Sequence, residues 1–104
     1  MDITKNDWKL FRERIGEWQG RHMEKLCGEY AQILAQEKSG PERFWELENR
    51  IRQDKKSPGV QIDLTKDQVP YNIVALLRDG TIDGKDLEGF SPGLKEMVAY
   101  IMSL

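Results

Sequence analysis

Thiol and imidazole chemistry is nearly absent from this chain: its 104 residues include one cysteine, Cys27, and one histidine, His22. A single thiol forms no intramolecular disulfide and builds no thiolate metal cage, and neither a His-Glu-x-x-His nor a Cys-x-x-Cys spacing occurs. On a helix, five positions turn the two side chains about 140° apart, so they do not converge as nucleophile and base. The expectation is a surface histidine and a core thiol, with no catalytic residue, no cofactor and no metal site. An excess of one charge is lacking as well: 16 Lys and Arg face 18 Asp and Glu, for a net charge of -2. With acids and bases interleaved, no overall field draws the chain to nucleic acid or to an anionic membrane. Long apolar runs are missing too. The longest, Ile73 to Leu77, is far too short to span a bilayer, and the polar start from Met1 to Asp7 has no signal-peptide core. We therefore expect a soluble cytosolic chain with no membrane partner, and no small-molecule substrate is inferred.

What is present is aromatic and helical. Three Trp, three Phe and three Tyr stand in a chain that is 38% hydrophobic, and this length supports one aromatic-rich core, hence a single helical domain over 1–104. Trp8, Phe11, Ile15, Trp18, His22, Leu26 and Ile33 recur every three or four positions, the stripe of one long amphipathic helix. Thr4, Asn6 and Asp7 offer N-cap oxygens, so the helix begins at about residues 5–8 and runs to Lys38, where Ser39-Gly40-Pro41 ends it. Unbroken, it would be nearly 50 Å long, whereas a compact chain of this size is about 35 Å across. Either it kinks near Gly20 or Gly28, or one end protrudes and seeks a second molecule.

Ser39 and Glu42 have capping-box spacing around Pro41, which opens a second helix to about Lys55 with Phe44, Trp45, Leu47 and Ile51 as its core-facing stripe. Glu46–Arg50 and Glu48–Arg52 are its expected ion pairs. Val60, Ile62 and Leu64 alternate like a strand but have no partner strand, so we read them as an extended connector. Thr65 with Gln68 suggests a capping box for a third helix from about Asp67 to Asp79, with Gly80 as C-cap. A turn anchored by Ile82, Leu87 and Phe90 follows, and Ser91-Pro92 opens a last helix. The predicted fold is all-α, with four to five helices: a long N-terminal helix, an antiparallel second helix, and a C-terminal pair folded over both.

The strings Phe44-Trp45-Glu46-Leu47-Glu48 through Lys55-Lys56-Ser57-Pro58-Gly59-Val60, and Asp86-Leu87-Glu88-Gly89-Phe90-Ser91 through Leu94-Lys95-Glu96, resemble a family of small bacterial helical proteins to which no activity is attached. The resemblance implies a helical domain in a bacterial cytosol and carries no site residues across.

Candidate sites are few. Asp79 to Asp86 has an Asp-Gly-x-Ile core like that of a calcium loop, but neither register supplies the carboxylates, so loop and cap chemistry explains it. Gly16 and Gly20 have the spacing that admits a close crossing by another helix, from this chain or a second copy, which is the stronger reading; a kink is the competing one. Trp8, Phe11, Ile15, Gly16, Trp18 and Gly20 are accordingly the candidate interface of a non-enzymatic interaction module that self-associates through its first helix or binds another protein. The alternative is a nucleic-acid-associated regulator using Arg50, Arg52, Lys55 and Lys56.

Overall fold

The computed structural model describes residues 3–104, and among them there are helices and connecting turns but no strand. Four α-helices follow one another: α1 Lys5–Leu34, α2 Gly40–Asp54, α3 Val69–Arg78 and α4 Pro92–Met102. Two short 3-10 turns, Lys66–Gln68 and Gly84–Leu87, precede α3 and α4. The fold is all-α with a long N-terminal helix, as the periodicity predicts.

The long helix starts where the chain offers a cap. Thr4 is the N-cap: its hydroxyl accepts from the Asp7 amide at 2.9 Å, and the Asp7 carboxylate accepts from the Thr4 amide at 3.1 Å. Asp7 is thus the third helical residue of a capping box, and it reaches further. Its two carboxylate oxygens accept from the Ser91 amide at 2.8 Å and from the Ser91 hydroxyl at 2.6 Å. Ser91 Oγ in turn accepts from the Leu94 amide as N-cap of α4. One fully buried carboxylate therefore joins the starts of two helices.

The helix runs without a break through Gly16, Gly20 and Gly28, so of the two alternatives in the sequence the protruding end is the one realised. The molecule measures 54 × 27 × 22 Å, with a radius of gyration of 16.6 Å against about 13 Å for a compact chain of this length. α1 ends at Leu34 rather than Lys38, because the Arg43 guanidinium of α2 takes the carbonyls of Leu34 and Lys38 at 2.8 and 3.1 Å and closes a tight turn.

The C-terminal pair covers only the proximal half of α1. Phe11, Ile15 and Trp18 pack there against Val69, Ile73 and Leu76 of α3, Leu94 and Val98 of α4, and Phe90 from the intervening loop. Phe11 and Trp18 meet edge to face with ring centres 6.0 Å apart, a favourable quadrupole arrangement. Gly80, with φ of +79°, ends α3 in the left-handed region that glycine adopts without strain. The capping box expected from Thr65 and Gln68 does not form: Thr65 makes no side-chain cap, and the chain enters α3 through a 3-10 turn, with Pro70 in the first turn where no amide is needed. The connector is shorter than expected: Val60 belongs to a turn in which its amide and that of Gln61 donate to the Ser57 carbonyl, residues 61–64 form an irregular segment, and Ile62 packs on the core.

α2 lies apart from that core. It runs antiparallel to the distal half of α1 as a two-helix hairpin, and none of its residues is buried.

Candidate functional site

Polar contacts fasten the hairpin around Leu26 and Ile33, the two buried apolar residues of distal α1. Arg50 donates to Glu29 at 2.6 Å and to Asp54 at 3.1 Å, and the Tyr30 hydroxyl donates to Asp54 at 2.5 Å. Burial, and then the Asp54 carboxylate, push the Tyr30 phenol up to about 12. Its bond to Glu29 is the main reason the Arg50 guanidinium is raised further above its ordinary value. Lys38 pairs with Glu46 at 3.2 Å. The expected Glu48–Arg52 pair is present, whereas Glu46–Arg50 is not: Arg50 turns inward to α1 and leaves Glu46 to Lys38.

Leu47 and Ile51 of α2 are half-buried at the edge of the contact with α1, while the rest of its apolar stripe faces outward. Phe44 and Trp45 are 61% and 62% exposed and stack edge to face at 4.9 Å, which corrects their expected place in the core. A shallow cavity of about 290 Å³ lies on this face, lined by Phe44, Leu47, Glu48, Ile51, Arg52 and Lys55. A second, of about 210 Å³, opens between the helices beside Met23, Cys27, Tyr30 and Ile51. Ile51 and Lys55 belong to both, so the two form one trough running from α2 to α1.

The distal half of α1 continues this surface. Gly16, Gly20, Met23, Cys27, Tyr30 and Leu34 recur at alternating intervals of four and three, the seam by which one helix meets another. All are exposed except the half-buried Tyr30, and none is charged. Among the described residues, no atom beyond the local helix backbone lies within 4 Å of where a Cβ would stand at Gly16 or Gly20, so no other described helix crosses there. Cys27, expected as a core thiol, is exposed in this seam.

The candidate interface thus divides. Phe11, Ile15 and Trp18 are 0%, 5% and 3% exposed within the chain's own core and are not available to a partner, while Trp8 is half-buried beside it. Gly16 and Gly20 remain on the surface. The periodicity of α1 carries two stripes on different faces, and the stronger aromatic one belongs to folding. Nor do the four bases of the alternative site form a free patch: Arg50 and Arg52 are ion-paired, which leaves Lys55 and Lys56 without ion pairs among the described residues.

His22 lies elsewhere and is no surface residue, since its side chain is 14% exposed. Its ring packs on Gly59, where a Cβ would come within 2.4 Å of Cδ2. Asp79 accepts from Ser57 Oγ at 2.6 Å and from Thr81 Oγ1 at 2.9 Å, and its Oδ2 stands 3.9 Å from His22 Nε2. Activation of a serine requires the imidazole next to the hydroxyl. Here the carboxylate stands between them, so the cluster fastens the 57–60 turn and the end of α3 to α1. In the Asp79–Asp86 loop, Asp83 accepts from the Lys85 amide and Asp86 from the Asp83 amide, which is cap chemistry.

No helix among the described residues is long and apolar enough to cross a membrane. Comparison with protein-family models, with curated proteins and with solved structures finds no match to this chain.

Proposed function

We propose that this protein is a non-enzymatic cytosolic interaction module that self-associates through the hairpin of α1 and α2. The observation that carries this reading is that α2 is amphipathic yet buries no residue, leaving Phe44 and Trp45 exposed and Leu47 and Ile51 only half-buried beside an uncharged seam of α1. Most helices owe their stability to burial of an apolar face, and contiguous apolar surface rimmed by charge marks an interaction site. The interface keeps the long helix expected from the sequence but moves from its proximal aromatic stripe to its distal seam.

Light scattering coupled to size exclusion tests this across a hundredfold range of concentration. The expected mass approaches twice 12.1 kDa. Ile51→Asp returns it to the monomer with helicity intact, because Ile51 is not part of the buried core. A wild-type mass of one chain at every concentration defeats the reading.

A further inference from the structure

The trough has edges of unlike charge. A helix turns about 100° per residue, which sets Glu17 and Glu24 along the outer edge of the α1 seam, on the side away from the buried Leu26 and Ile33. Along the outer edge of the α2 stripe stand Glu48, Arg52 and Lys55, of which Glu48 and Arg52 pair with each other. Glu17 shares a cavity with Arg14, Arg21 and Lys85, whereas Glu24 and Lys55 are exposed and have no ion pair among the described residues. The apolar face is therefore bordered by uncompensated acid on one side and uncompensated base on the other.

Resting on the self-association reading above, we infer that the occupant of this face is the hairpin of a second copy pointing the same way, so that α1 of each protomer lies on α2 of the other. A two-fold axis running along the hairpins sets the acidic edge of each chain against the basic edge of its partner, twice over. The reverse arrangement, with hairpins head to tail, stacks α1 on α1 and opposes acid to acid. Heights agree as well. The Glu29–Arg50 and Tyr30–Asp54 contacts fix which residues of the two helices are level, and they bring Glu24 within about one turn of the height of the partner's Lys55. The open surface at Gly16 and Gly20 leaves the seam unobstructed into the proximal half of α1. The result is a four-helix bundle with like helices on the diagonals, in which Glu24 meets the partner's Lys55 at both edges.

Charge reversal tests the pairing in the full chain. Glu24→Lys and Lys55→Glu, made separately, are each expected to weaken the homodimer roughly tenfold in sedimentation equilibrium, since two attractive contacts become repulsive. Melting of the monomer should not move, because both side chains are exposed. Mixing the two variants in equal amounts should restore wild-type affinity as a heterodimer, because each reversed side chain again meets its opposite. A dimer that Glu24→Lys strengthens, or that is indifferent to both reversals, overturns this pairing and leaves self-association standing. A wild-type chain that stays monomeric, including one whose trough takes only a foreign helix, overturns both.

Discussion

Trp18 and Trp45 are the same residue type on amphipathic stripes, yet one is 3% exposed and the other 62%. Truncation should separate them. Trp18→Ala removes an aromatic that packs against Phe11 and Phe90 and should cost about 3–5 kcal/mol in urea unfolding, whereas Trp45→Ala should leave monomer stability nearly unchanged. Equal losses would mean that α2 contributes to the core after all. Asp7 carries more than its position suggests. Asp7→Ala strands the Ser91 and Thr4 amides and should cost about 2–3 kcal/mol. Burial raises the pKa of Asp7, but hydrogen bonds from Ser91 and Thr4 outweigh it and hold the carboxyl below its ordinary 3.8. The stabilisation is thus fully present above about pH 4 and is lost as the pH falls through the lowered value. The gap between wild type and Asp7→Asn in chemical unfolding should narrow on acidification below pH 4, and a gap constant with pH would assign Asp7 no such part. Gly59→Ala should lower the melting temperature, because its Cβ would stand 2.4 and 2.5 Å from His22 and Thr81.

At the scale of the element, the hairpin is fastened by polar groups around only two buried apolar residues, Leu26 and Ile33, and should loosen before the core does. Amides of α2 are expected to exchange with solvent faster than those of α3 and α4 in the monomer. The Tyr30–Asp54 bond needs a neutral phenol, so its stabilisation is full below pH 10 and fades as the pH rises toward 12. Tyr30→Phe should abolish any such alkaline change in α2 exchange and leave α3 and α4 as they were. The beginnings of the elements were the most legible part of the sequence: Thr4, Ser39 and Ser91 are serine or threonine N-caps, and Pro41 and Pro92 stand where a first turn tolerates them. Their partners were less so. Helical spacing identifies Glu46 and Arg50 as neighbours, but it does not say that Arg50 faces Glu29 across an interface and prefers it. The cap at Thr65 failed for a similar reason, since the chain turns there through a 3-10 geometry that the Thr-x-x-Gln spacing does not distinguish from a helix start.

For the whole molecule, the mismatch between helix length and domain size was legible, and it is realised as a protruding hairpin and an extent of 54 Å. What periodicity could not assign is which apolar face meets which surface. Phe11, Ile15 and Trp18 share α1 with Gly20, Met23 and Cys27, and only the placement of α3 and α4 tells the folded face from the free one. By the same ambiguity, helical spacing alone points Cys27 to the core and Phe44 inward, whereas both belong to the outer trough. The measurement that bears most directly on the hairpin as an interface is a map of amide chemical shifts across a hundredfold dilution. Concentration-dependent shifts should gather on Gly16 to Leu34 and Phe44 to Lys56 and spare α3 and α4. Shifts that do not change with concentration, or that gather on α3 and α4, would contradict it.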